Sequence, residues 1–115
     1  MTENKPDRWI FGHPFSENRE YFMVAVKRTN ELLDLGYIVY CPNIAIYFLN
    51  TNEPRPYEFW LDYMLPLLYN YDGVILAPEW RESNECWWLF GHFLGQGKKY
   101  KYFENLVPQA GEKDG

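Results

Sequence analysis

Histidine and cysteine are scarce in this chain, two of each in 115 residues. Cys41 and Cys86 stand far apart, and neither has a neighbour at metal-binding spacing. That leaves no zinc site and no disulfide framework, and the plain reading is two free, buried thiols in a cytosolic protein. Basic runs are missing apart from Lys98-Lys99-Tyr100-Lys101, and the net charge is −5. An acidic chain repels a polyphosphate backbone, so duplex nucleic acid is not an expected partner. No apolar run approaches the roughly 20 residues of a membrane span, and the first residues are polar, so neither a secretory leader nor a membrane association is expected. No Ser/His/Asp constellation and no Walker or dinucleotide glycine pattern is visible, so no cofactor is expected.

Aromatic residues, by contrast, make up 20% of the chain. That exceeds what one core of this size needs, and surplus Trp and Tyr line concave sites or subunit interfaces. An aromatic-rich core is the alternative.

The chain reads as one domain with no repeats and no linker. Residues 1–7 are polar and expected to be flexible, and residues 104–115 thin into Pro, Gly and charge as a flexible tail. Between them, Arg8-Trp9-Ile10-Phe11 is a short strand stopped by Gly12-His13-Pro14-Phe15. Ser16 is the expected N-cap of a helix, with Glu17 and Glu20 in its first turn. Phe22, Ala25/Val26, Thr29 and Leu32/Leu33 recur at helical spacing, and Gly36 stops the run. Tyr37-Ile38-Val39-Tyr40 is a second strand. Ile44 to Leu49 suits a strand or a helical turn equally, and Asn50 to Pro56 is a loop. A second helix runs from Tyr57 to about Tyr69, with Pro66 expected to kink or divide it. Val74 to Ala77 is a strand, Pro78 to Asn84 a polar loop, and a helix follows until Gly95 and Gly97. Lys99 to Phe103 is the last strand.

Alternation of this kind predicts a parallel α/β sheet of four to five strands with helices on both faces. Ligands in such sheets sit beyond the carboxyl ends of the strands, against helix N-termini. The loops Gly12–Ser16 and Pro78–Glu85 then lie side by side, and the second crowds Glu79, Trp80, Arg81, Glu82, Ser83, Asn84 and Glu85 together. Gly12 to Ser16 is a weak anion cradle. His13 is a candidate general acid or phosphate contact, set against the plainer reading of a solvated side chain. Arg81 and Arg55 are the best cations for a phosphate or carboxylate. Trp87 and Trp88, at consecutive helix positions, cannot both face the same way, so one packs inward while the other faces a groove or a partner.

Several stretches together resemble a known family. Ile10-Phe11-Gly12-His13-Pro14, Gly36 to Pro42, Trp60-Leu61-Asp62-Tyr63-Met64, Tyr71 to Leu76 and Pro78-Glu79-Trp80-Arg81-Glu82-Ser83 are similar to the small phage and bacterial DUF4406 proteins, relatives of the nucleoside 2-deoxyribosyltransferases. The resemblance spans roughly Trp9 to Tyr102. It implies a flavodoxin-like (Rossmann-like) fold, a nucleoside or nucleotide-like ligand, a homodimer, and cleavage or exchange of an N-glycosidic bond by a carboxylate beneath the anomeric carbon. The ligand contacts it implies are Gly12, His13, Pro14, Phe15, Asp62, Pro78, Trp80, Arg81, Ser83 and Asn84.

One departure matters. The family's third-helix motif places Ser83 first, puts Glu85 where a Gly belongs, and sets Leu89 in the place of the nucleophilic Glu, before Phe90-Gly91. Leucine cannot attack carbon. The expectation is therefore a nucleoside- or nucleotide-binding protein that has lost catalysis. The alternatives are an active glycosidase or deoxyribosyltransferase using a displaced Glu85 or Glu82, and a non-catalytic homodimeric interaction protein.

Overall fold

The structure, a computed structural model, describes residues 5–108. Four parallel strands form one sheet: β1 (Arg8–Gly12), β2 (Ile38–Tyr40), β3 (Gly73–Leu76) and β4 (Lys99–Tyr102), in the order β2-β1-β3-β4. β3 is apolar throughout and β1 is apolar after its exposed first residue, Arg8, as a sheet covered on both faces requires. Side-chain alternation sorts the core into two layers. Trp9, Phe11, Ile75 and Ala77 face one way, onto Leu32, Phe103 and Val107. Ile10, Val74 and Leu76 face the other way, onto Leu68, Cys86, Leu89 and Phe93. The parallel, doubly covered sheet expected from the alternation is what the chain forms. Among the described residues, no helix is long and apolar enough to cross a membrane.

The helices are α1 (Arg19–Asp34), α2 (Pro42–Asn52), α3 (Tyr57–Leu68), α4 (Asn84–Gly95) and the short α5 (Phe103–Leu106). In α1, Phe22, Ala25, Thr29 and Leu32 are buried at the anticipated spacing. Its N-cap is Asn18, whose side chain accepts from the Tyr21 N–H at 2.9 Å, and not Ser16. Ser16 instead accepts the Asn18 N–H at 3.0 Å, an ST-turn one step earlier. Gly36 follows α1 at φ 94°, a left-handed angle that favours glycine.

The ambiguous Ile44–Leu49 stretch is helical and extends through Asn52, which shortens the following loop to residues 53–56. Pro66 sits in the last turn of α3 and does not divide it. The chain stays ordered past the last strand: Phe103 begins α5 and stacks on Phe11 at 5.6 Å, and Val107 is buried. Residues 1–4 and 109–115, the remainder of the expected flexible ends, lie outside the described residues.

Gly73 is needed for packing. A Cβ there would lie 2.5 Å from the Trp9 ring and 2.7 Å from the Lys99 carbonyl oxygen. The indole of Trp9 crosses this strand where side-chain volume is zero.

Candidate functional site

Strand pairing sets the two loops beside each other. Gly12 is in register with Leu76, and the Ala77 N–H donates to the Gly12 carbonyl at 3.0 Å. Beyond these strand ends, three adjoining cavities share Phe15. One of about 180 Å³ is lined by Phe15, Ile46, Asn50, Tyr57, Trp60 and Glu85, with Glu17 and Arg55. A second, of about 330 Å³, continues from it along Phe15, Tyr57, Ser83, Asn84 and Glu85. The third, of about 380 Å³, lies beside Pro14, Phe15, Ser16, Tyr21, Glu79 and Glu82.

Glu85 is the centre of the arrangement. Ser83 caps α4 by accepting the Cys86 N–H at 3.2 Å, which puts Glu85 in the first turn, where the helix dipole favours a carboxylate. The side chain is 6% exposed. Its Oε1 accepts one hydrogen bond, from Asn43 Nδ2 at 2.8 Å, and no ion pair to it is present among the described residues. Burial raises its pKa above the usual carboxylate range, and the Asn43 hydrogen bond offsets only part of that. The same Asn43 amide donates to the His13 carbonyl, so α2 ties the end of β1 to the first turn of α4.

His13 is fully buried, lines none of these three cavities and belongs to a polar network. Arg28 donates to His13 Nε2 at 3.0 Å and pairs with both oxygens of Glu79, at 2.7 and 3.1 Å. With Nε2 accepting, the His13 Nδ1–H donates to the Pro14 carbonyl at 3.1 Å, which assigns the neutral tautomer. Burial lowers the imidazole to about 4, against the pull of the Pro14 carbonyl and with help from the Arg28 charge. Tyr21 donates to Glu79 Oε1 at 3.0 Å. Burial alone would raise Glu79, but the Arg28 hydrogen bonds and charge, with Tyr21, outweigh it and hold the carboxyl low. The network ties the Pro14 carbonyl, through His13 and Arg28, to Glu79 of the neighbouring loop.

Of the anticipated contacts, Pro14, Phe15, Ser83, Asn84 and Glu85 come together at the cavities, and exposed Glu82 reaches the side that Glu79 lines. Others do not. Gly12 is buried beneath Leu89, Leu76 and Val74. Half-buried Pro78 lines none of the three cavities. Asp62 is exposed on α3, whose buried residues are Trp60, Met64 and Leu68, so it is displaced from the cleft. Trp80 is displaced too: a 3-10 turn over Trp80–Glu82 turns it inward onto Trp87, Phe90 and Tyr102. Arg81 follows it, its guanidinium 4.9 Å from the Trp80 ring and 6.0 Å from that of Tyr102. Trp87 is exposed and its neighbour Trp88 half-buried, so the two diverge as their spacing requires.

Leu89, where the resemblance places a nucleophile, is in the core one turn beyond Glu85, closing the space under Gly12. Asn43, Tyr57, Trp60 and Asn50 were not anticipated as site residues. Asn50 Oδ1 accepts both the Trp60 Nε1–H and the Arg55 N–H at 2.9 Å, fixing the α2–α3 turn and one aromatic wall.

A hollow of about 410 Å³ at the opposite end of the strands is lined by Lys5, Pro6, Asp7, Arg8, Ile38 and Asp72, and both of its carboxylates are already engaged. Arg8 N–H donates to Asp72 at 2.8 Å, and Asp7 pairs with Lys99 at 2.7 Å. Nothing there converges on a ligand.

Fold and cleft together define a parallel α/β protein with a small, partly aromatic cavity at the carboxyl ends of its strands, built around a buried carboxyl group. Comparison with known proteins takes this no further: the chain matches no protein-family model and no curated protein.

Proposed function

We infer that the chain binds a nucleoside- or nucleotide-like small molecule in the cleft between Phe15, Tyr57 and Glu85, and that it has lost glycosyl-transfer catalysis. One observation carries this reading: a buried carboxyl with a single protein partner lines an aromatic-walled cavity where α/β sheets bind ligands. Phe15, Tyr57 and Trp60 offer flat surfaces for a ring, and Arg55 lines the same cavity. The loss of catalysis follows from Leu89, a hydrocarbon packed where covalent capture of a sugar would need an ionised oxygen. Calorimetric titration with a panel of nucleosides, nucleotides and free bases tests it. At least one should bind, and Tyr57→Ala and Glu85→Ala should each weaken binding at least tenfold. Absence of binding across the panel would defeat the reading.

A second reading, hydrolysis of an N-glycosidic bond, is favoured by the raised pKa of Glu85, which suits a proton donor to a departing base. Release of free base, lost in Glu85→Gln while binding persists, would establish it. Glu82 is exposed on the far side of Phe15 and is not suited to that role.

A further inference from the structure

We propose that Glu85 sets which ring the cleft accepts. Its carboxyl pairs side by side with a neutral heteroaromatic edge that offers a hydrogen-bond acceptor next to an N–H, as the N3/N4 edge of cytosine or the N1/N6 edge of adenine does. This rests on the nucleoside-type reading of the cleft and adds the ligand's chemical class.

The geometry supplies the constraint. An apolar cavity of about 150 Å³ is known to hold one benzene-sized ring, and the Glu85 cavity is about 180 Å³, walled by Phe15, Tyr57, Trp60 and Ile46. Glu85 Oε1 accepts from Asn43 and no hydrogen bond to Oε2 is present among the described residues; burial favours the protonated carboxyl against the pull of that bond, and the proton then belongs on Oε2. A carboxyl in that state presents a donor and an acceptor in one plane, which matches an amino group beside an unprotonated ring nitrogen. An ionised carboxylate would instead present acceptors only, and would select a cation or two adjacent N–H groups.

The surroundings favour the neutral form. Cys41 and Cys86, both thiols pushed up to about 12 by burial, flank the carboxyl from β2–α2 and α4. From α3, Tyr57 lines the same cavity, its phenol raised first by burial and so uncharged. Asn43 on α2 is the one donor, and its partner His13 on the β1 loop is neutral. Arg55 lines the same cavity, but its guanidinium lies 4.8 Å from the Phe59 ring and 3.8 Å from Glu53, and Glu17 adds a like charge at the rim.

Two probe pairs test this: cytidine against 3-methylcytidine, and adenosine against 1-methyladenosine, in which methylation replaces the ring acceptor and makes the edge cationic. Affinity is measured by calorimetry from pH 5 to 9 on the full chain and on Glu85→Gln, whose amide also presents a donor and an acceptor. An unmethylated probe should bind, with affinity falling about tenfold per pH unit once the carboxyl ionises. Its methylated partner should bind at least tenfold more weakly. Glu85→Gln should bind within a few-fold of wild type, with the pH dependence gone and the melting temperature kept. Preference for the methylated cations, abolished in Glu85→Gln, would overturn the proposal and leave the nucleoside-type reading standing. So would flat pH dependence in the wild type. Binding of none of the four, with another nucleoside bound elsewhere in the panel, would overturn it as well; no nucleoside binding of any kind would end both.

Discussion

Acidification is the sharpest test of the polar network, because His13 is held as a neutral imidazole. Folding lowers it from 6.5 to about 4. Between those values the unfolded chain holds a proton that the folded chain does not, so stability falls as the pH falls through the window. At about 1.4 kcal/mol per pH unit, the window is worth roughly 3 kcal/mol, a substantial part of a domain's usual margin. The physical event is loss of the Arg28 hydrogen bond to Nε2 and an imidazolium set against a guanidinium.

Glu85 works in the opposite sense. Its raised carboxyl keeps a proton in the folded state that the unfolded chain has lost, so it favours folding at lower pH and costs stability as the pH rises. Glu79, held low, loses its contribution only as the pH drops below its ordinary 4.5. The measurement therefore uses a Glu85→Gln background, with urea unfolding at half-unit steps from pH 7 to 4.5, with and without His13→Gln. The background should lose two to three kcal/mol (roughly) over that range, and unfolding near pH 5 should take up close to one proton. The His13→Gln chain should lose much less, keeping only the share due to His92, whose imidazole is also lowered by burial and by Lys98. Identical pH profiles in the two chains would refute the neutral-imidazole reading, whatever their absolute stabilities.

Three further substitutions follow from packing. Gly73→Ala forces a methyl into the Trp9 ring and the Lys99 carbonyl and should cost about 3 kcal/mol, whereas Gly91→Ala meets nothing within 4 Å on α4 and should gain about 0.5–1 kcal/mol; denaturant midpoints that rank them the other way would contradict the packing. Leu89→Glu, which introduces an acid where the resemblance would place one, should destabilise by several kcal/mol at pH 7 and less under acid conditions, since the carboxylate would be buried without a partner; undiminished stability together with release of free base would show that the cleft reaches this position.

The sheet and its neighbouring loops were legible because parallel strands buried on both sides read as unbroken apolar runs and α1 keeps strict helical spacing. What escaped was the third wall of the cleft. In α2 the usual pattern is inverted: Asn43 and Asn50 are buried while Phe48 and Leu49 are exposed. Asn43 satisfies His13 and Glu85, 30 and 42 residues away, and Asn50 reaches across the turn to Arg55 and Trp60, so no helical spacing announces either. Asp62 was a legible miss, since Trp60, Met64 and Leu68 already fix the inward face of α3 and put Asp62 off it. Trp80 and Arg81 looked like loop residues at the right address; a tight 3-10 turn rotated them toward β4. The aromatic surplus divides between uses, with Trp9, Trp60 and Trp80 inside and Phe48, Phe59, Tyr63 and Trp87 outside.

The two borders of the sheet bear on how this protein behaves in a crowd of its own copies. At one border β2 is three residues long, too short to template a partner. At the other, Lys99 and Lys101 alternate with tyrosines along β4, Lys99 held by Asp7 and Lys101 lying 5.6 Å from the Trp9 ring. A foreign strand docking there would have to desolvate two ammonium groups to gain its backbone hydrogen bonds. Ribbon-like growth by backbone pairing is thus discouraged on either flank.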